Sequence, residues 1–316
     1  MLHIHNGDVV AVRARRAQIP GTHLSFRESL IGGPILTPAT RDEWIEARAQ
    51  WLAETHGQNL LRVRNDLLAQ DDALIAAMKE DELVLWFEHD LYCLVHLLYL
   101  FARIGTHPNL TLIWSQTPLS EPDETELRDL YESRERVKPS MLALAADAWR
   151  AYAGADPLAL NRFIANDWPE FPFLREGIAL HASRFPSKHN GLGEIANRML
   201  SEMAFAPIDF LTLFDRFNEA VPRFGFGDSD VMRELRQLAR VDVALITIAE
   251  AEGGELPKAV FTLTPAGENV IAGEVDYLKL TDIDSRLGGA HLTRERIWRW
   301  DAKARQLIEQ SPSAAS

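Results

Sequence analysis

Leu83-Val84-Leu85-Trp86-Phe87-Glu88-His89-Asp90 is an apolar run without alternation that ends on three polar residues. A strand covered on both faces has this character, and such strands belong to parallel sheets wrapped by helices. The next segment, Leu91 to Ile104, is equally apolar, long enough for a buried helix, and closed by Gly105. Strand, polar tip and helix thus follow one another, as in an α/β fold. The chain opens on a second such unit. Leu2-His3-Ile4-His5 reads as a short strand, Asn6-Gly7-Asp8 as a turn, and a helix starts near Val9 with Asp8 as its expected cap.

Between these two units, Pro20-Gly21 ends the first helix, Thr22 to Phe26 reads as a second strand, and Ile31-Gly32-Gly33-Pro34 is a loop. Thr37 or Thr40 then opens a helix carrying Trp44, Ile45, Ala49 and Leu52, and after Gly57 another runs through Leu60, Leu67, Leu68 and Ile75. Asn109 to Trp114 gives a further buried strand. Residues 1–118 are therefore expected to form an α/β domain with a mainly parallel, Rossmann-like sheet. Residues 119–190 read as a helical connector packed on that sheet, with Leu127, Leu130, Met141, Leu144, Trp149, Tyr152, Leu160, Phe163 and Ile164 as anchors. The turn-rich Phe185-Pro186-Ser187-Lys188-His189-Asn190-Gly191 marks a boundary.

Beyond it come three helical segments, Ile195 to Met203, Ile208 to Phe217 and Ser229 to Ala239. Two strands follow, Ala244 to Ile248 and Ala259 to Thr264, about a polar Gly253-Gly254 turn. Three helices and a hairpin leaving through Leu263-Thr264-Pro265-Ala266-Gly267 are the order of a winged helix, expected over 191–292. Residues 293–316 are expected to be a C-terminal helix and a disordered tail from Ser311 to Ser316.

A chain of 316 residues that is 47% hydrophobic and 25% charged can bury a large core and favours two domains. Its net charge of −13 disfavours nonspecific attraction to nucleic acid or to an anionic membrane. The opening strand lacks the basic and apolar regions of a secretory signal, so a cytoplasmic location is expected. The longest apolar stretch, Leu91 to Ala102, is too short for a bilayer and carries His96, so no membrane association is expected. The single cysteine, Cys93, excludes an internal disulfide and a multi-thiolate zinc site.

The segments Leu2 to Asp8, the loop through Gly33-Pro34, Val84 to Leu91, Phe185-Pro186-Ser187 to Asn190-Gly191-Leu192, and Leu287-Gly288-Gly289-Ala290-His291-Leu292 occur here in one order. In that order the chain resembles an uncharacterised bacterial family, domain of unknown function 1835, with Trp-Phe-Glu-His-Asp-Leu as the most specific part. The resemblance covers most of the chain and implies the two-part architecture, but no reaction. Tyr92, Cys93 and His96 stand where that family often has polar residues, which argues against a shared family role for Cys93 and His96.

Ligands of α/β sheets bind outside the carboxyl ends of the strands, which makes His3, His5, Asn6, Asp8, Glu88, His89 and Asp90 the candidate ligand-binding residues. His3 and His5 project from one face of their strand while Leu2 and Ile4 project from the other. With the Glu88 strand alongside, the tips offer imidazoles and carboxylates enough for a divalent metal or a proton relay. Under the competing reading, Asp8 and Asp90 are helix caps and the histidines are hydrogen-bonded core residues. His89, Cys93 and His96 share one side of a helix, but their apolar surroundings mark Cys93 and His96 as packing residues.

Asn6-Gly7-Asp8 has the outline of an anion-binding turn at a helix N-terminus, although the Asp8 carboxylate would repel a phosphate unless a cation intervened. The chain has no dinucleotide fingerprint, phosphate-loop lysine or Gly-x-Ser-x-Gly elbow. In the winged helix, Arg233, Arg236 and Arg240 lie opposite Val231, Leu235 and Leu238 and are the candidate DNA contacts. Residues 191–292 nevertheless hold nine basic against seventeen acidic residues, a net −8 that favours protein contact or dimerisation over DNA. The expected function is binding of a nucleotide or another phosphorylated metabolite at the strand tips, with hydrolase or transferase chemistry as the open reaction classes. The alternative is a ligand-sensing transcriptional regulator that binds DNA through its winged helix.

Overall fold

The computed structural model describes residues 1–219, 224–249 and 258–310, and the Gly253-Gly254 turn and the 311–316 tail lie outside the described residues. The chain divides into two compact units, the first made of residues 1–159, 166–177 and 288–290 and the second of the remainder. Among the described residues no helix is long and apolar enough to cross a membrane.

The first unit begins β1 (Leu2–Asn6), α1 (Asp8–Arg16), β2 (Thr22–Phe26), α2 (Arg41–His56) and α3 (Leu60–Ala77). It continues β3 (Leu83–Glu88), α4 (Leu91–Ile104), β4 (Leu110–Ser115), α5 (Glu124–Glu132), β5 (Glu135–Arg136) and α6 (Pro139–Ala153). The five strands form one mixed sheet in the order β2-β1-β3-β4-β5, parallel except for β5. β5 lies within the segment expected to be helical throughout. Two residues are enough to pair Thr111 with Arg136 across the edge, but too few to register as hydrophobic alternation.

All five apolar residues of β3 are fully buried, as their unbroken hydrophobicity requires. Val84 and Trp86 face a cluster with Val10 and Ala14 of α1 and Leu127 and Tyr131 of α5, so those two helices cover one face. Alternation sends Leu83, Leu85 and Phe87 to the opposite face. α4 lies on that side, because Asn6, the β1 residue that points away from Trp86, bonds to Cys93 and His96.

Thr40 caps α2 through a complete capping box. Asp8, in contrast, is not the cap of α1. Gly7 holds that position at φ 87 and ψ −172, a region that only glycine occupies readily, and makes no side-chain cap bond. The Asp8 carboxylate instead takes two charge-assisted bonds from Arg27, at 2.8 and 2.6 Å, in place of a single backbone cap bond.

The second unit contains α7 (Asn161–Ala165), the part of α8 (Leu174–Ser183) from Ile178 onward, α9 (Glu194–Met203), β6 (Ile208–Asp209), α10 (Phe210–Glu219) and α11 (Asp228–Arg240). β7 (Ile246–Ala249), β8 (Val260–Leu263) and α12 (Pro265–Ile271) follow. β7 pairs antiparallel with β8, Ile246 opposite Leu263, and β6 adds to the other side of β8. Phe261 is fully buried, with its ring 6.4 Å from that of Phe210.

After β9 (Asp284–Leu287) and β10 (Ala290–Thr293), the expected C-terminal helix is instead an antiparallel hairpin of β11 (Ile297–Asp301) and β12 (Gln306–Gln310). Ile297-Trp298-Arg299-Trp300-Asp301 alternates with period two, which puts both tryptophans on one face, where both are buried. A helix would have placed those two rings on different sides.

Candidate functional site

The strand order reverses between β1 and β3, which lie side by side with His3 opposite Val84 and His5 opposite Trp86. At such a reversal the crossovers leave on opposite faces, and a crevice opens beyond the carboxyl ends. α1 starts directly after β1 and α4 directly after β3, so two helix N-termini, each presenting backbone amides and the positive end of its dipole, flank this point. Gly7 sits in the first turn, and a Cβ built there would meet nothing within 4 Å. Its glycine is demanded by backbone angle alone, so this side of the turn is open.

The seven sequence-derived residues do not form one cluster: two groups gather five of them, Asp8 pairs with Arg27, and His89 lies among aromatic rings. Asn6, Glu88 and Asp90 meet at the reversal around Cys93: Asn6 donates to its Sγ at 2.9 Å, and Asp90 accepts from its backbone N–H at 2.6 Å as the cap of α4. One donor atom each of Glu88, Asp90 and Cys93 lie within 4.8 Å of one another. Burial, with the Asp90 and Glu88 charges adding to it, pushes the Cys93 thiol well above its ordinary value. With no ion bound, it is held in the thiol form, which is a poor nucleophile. Glu88 also accepts from the Leu119 amide at 3.1 Å. His89 stacks on Phe173 at 5.2 Å and tilts against Trp114 at 4.6 Å. Phe173 has φ 71, an uncommon backbone for a bulky side chain.

His3 and His5 belong to the second group, away from the tips. Both are fully buried in the sheet on the α1 and α5 face, and with His23 of β2, the partner of His3 in the register, they form a stacked cluster beside Trp86. Two backbone carbonyls settle the protonation pattern, since a carbonyl only accepts. His3 donates from Nε2 to Pro20 at 2.8 Å, which leaves Nδ1 to accept from the Trp86 indole at 3.0 Å. His23 donates from Nε2 to Ile19 at 3.1 Å, so its Nδ1 accepts from His5 Nε2 at 2.9 Å. His5 Nδ1 is then a lone pair with no hydrogen-bond partner among the described residues. Desolvation lowers His3 to about 4 and His5 to about 2, and it lowers His23 as well. The chain of bonds ends on a carbonyl, so it cannot relay a proton.

Several residues that shape the site were not among the sequence candidates, and His96, read from sequence as a packing residue, is buried but makes two directed hydrogen bonds. His96 donates from Nδ1 to Asn6 at 2.7 Å and accepts the Leu30 amide at Nε2, tying the β1 tip to the loop after β2. Burial lowers its pKa to about 3, so both bonds rest on a neutral ring. Arg48 is fully buried and uses all five guanidinium N–H groups: two bonds go to Glu28, and one each to the carbonyls of Ser29, Gly32 and Pro34. Trp51 closes over Gly33, where any Cβ would come within 2.3 Å of the ring. The 28–34 loop is thereby held in one shape. Arg48 had a legible signal, because it lies within the core spacing of Ile45, Ala49 and Leu52. His23 had none, since inter-strand register is not written in a five-residue strand.

In the second unit, Val231, Leu235 and Leu238 are buried and Arg236 and Arg240 are exposed, while Arg233 is held by Asp230 at 2.9 Å. No protein-family model matches the chain, and no curated protein matches it.

Proposed function

We propose that the first unit is a Rossmann-like domain that binds a small phosphorylated ligand, a nucleotide among the candidates, in the crevice between the β1–α1 and β3–α4 turns. The observation that carries this reading is the reversal of strand order at β1/β3, with both tips running directly into helix N-termini. Phosphate oxygens would lie over the open turn at Gly7. Arg27 stands beside that turn, and its pair with Asp8 is exposed on both sides and hence cheap to exchange, at about 1 kcal/mol or less. Glu88 and His89 would take the polar remainder of the ligand. His3, His5 and Asp90 act in this reading as scaffold, and Asn6 positions the β1 tip. Hydrolase or transferase chemistry is the natural extension. The same two tip segments carry the resemblance to domain of unknown function 1835.

The test is a thermal-shift and calorimetric titration with a nucleoside triphosphate, with and without Mg²⁺, and with inorganic phosphate. Saturating ligand at 100 times Kd should stabilise the parent by about 2.7 kcal/mol. Arg27→Ala and the Glu88→Gln/His89→Asn pair should stay within about 1 kcal/mol of parent stability and lose the shift. Variants that melt far below the parent with the ligand shift intact would refute the proposal and leave these residues as scaffold.

For the second unit we propose a winged helix, supported by the α9, α10, α11, β7, β8 succession and the pairing of β7 with β8. Its role is protein contact or dimerisation rather than DNA binding. One of the three arginines of α11 is already held by a neighbouring carboxylate, and the acidic excess of 191–292 opposes a polyanion.

A further inference from the structure

We propose that His3, His5 and His23 constitute a binding site for a zinc-class transition ion inside the sheet, separate from the strand-tip crevice and independent of what that crevice binds. One nitrogen from each of the three rings lies within 4.8 Å of the other two. Tetrahedral bonds of about 2.0 Å would put ligand nitrogens about 3.3 Å apart, so closure takes movement on the order of an ångström together with rotation of the near-parallel rings until their lone pairs converge. The His5 and His23 nitrogens are already 2.9 Å apart.

The surroundings support a site more than a simple core. Metal-ligating histidines characteristically donate their second ring nitrogen to a carbonyl or carboxylate, which fixes tautomer and orientation. His3 and His23 do this toward Pro20 and Ile19, successive carbonyls of one turn, and so each keeps its Nδ1 lone pair for a ligand. His5 is the ring that no carbonyl locks, and its Nδ1 has no hydrogen-bond partner among the described residues, so either of its ring nitrogens can carry the proton. With that ring uncommitted, binding needs no proton release: as Nε2 takes the ion, its proton moves to Nδ1. The bonds given up are His5 to His23 and Trp86 to His3.

The experiment uses the full chain, stripped with chelator and titrated with Zn²⁺ alone against a chromophoric chelator, and with Co²⁺ alone for its ligand-field spectrum. One equivalent should bind, and cobalt should give the intense visible bands of a tetrahedral site. His23→Gln should weaken binding at least ~100-fold, the upper range for loss of a mere supporting partner. His107→Gln, a surface histidine, should change nothing. Trp86→Phe removes the donor that competes for His3 and should bind at least as tightly as the parent. The cobalt spectrum of the parent needs no variant, so a His23→Gln chain that failed to fold would still leave the proposal testable. Absence of stoichiometric binding, an octahedral cobalt spectrum, or affinity that survives His23→Gln in a folded chain would overturn it.

Discussion

Acidification from pH 7 to pH 5 should destabilise the metal-free first unit far more than an ordinary surface would allow. In the folded chain His3 is lowered to about 4, His5 to about 2 and His96 to about 3, each because burial penalises the imidazolium. In the unfolded chain all three return to about 6.5. The unfolded state therefore takes up protons that the folded state refuses, and stability falls as pH drops below 6.5, ceasing to fall only beneath each folded value. For a histidine still neutral at pH 5, the interval from 7 to 5 removes roughly 2 kcal/mol, so the three together remove about 5 kcal/mol. That is comparable to the whole stability of many domains.

Geometry agrees with the sign. A proton on His3 Nδ1 would face the Trp86 N–H, and one on His23 Nδ1 would face the His5 N–H. Asp8, Glu43 and Asp123, whose pKa values are lowered from ordinary carboxylate values, add losses only at lower pH. Urea denaturation followed by tryptophan fluorescence at pH 7, 6 and 5, with chelator present, measures the effect. A loss below about 1 kcal/mol over this interval would refute the claim that these rings are buried and neutral.

Two further outcomes follow from the same contacts. Arg48→Met leaves Glu28 charged and unpaired in the interior and should cost about 3–5 kcal/mol in a denaturation experiment, with part recovered in Arg48→Met/Glu28→Gln. Duplex DNA titrated at physiological salt by fluorescence anisotropy should show nothing tighter than the nonspecific range of about 10⁻⁶ M, and Arg236→Ala/Arg240→Ala should leave that unchanged. Submicromolar binding lost in the double variant would instead favour a regulator.

The sequence displayed what depends on local pattern. The solid apolar character of Leu83 to Phe87, the Asp90 cap and the two strands flanking Gly253-Gly254 all have short-range signatures, and each element lies close to where those signatures put it. What depends on register or on one buried charge was less legible. His3 and His5 looked like tip residues because they precede a turn. Their neighbours in space, His23 and Trp86, are set by strand pairing, and that pairing seats them in the interior. The C-terminal hairpin was missed because charged residues around Trp298 and Trp300 resemble a solvated helix until the alternation is weighed.

The first unit also borrows residues from near the end of the chain. Gly288 and Gly289 belong to it, and a Cβ on either would strike the Tyr152 or Ala153 carbonyl within 2.3 Å. The Gly289 amide bonds to Tyr152 at 2.9 Å. On the ribosome, the first unit must therefore wait for about 135 residues after α6 before these contacts can form, roughly 7 to 27 s at about 5–20 residues per second. The end of α6 spends that interval without this cover. A fragment ending at residue 190 makes the delay permanent, so it should be recovered with chaperones or in inclusion bodies, while the 316-residue chain is not.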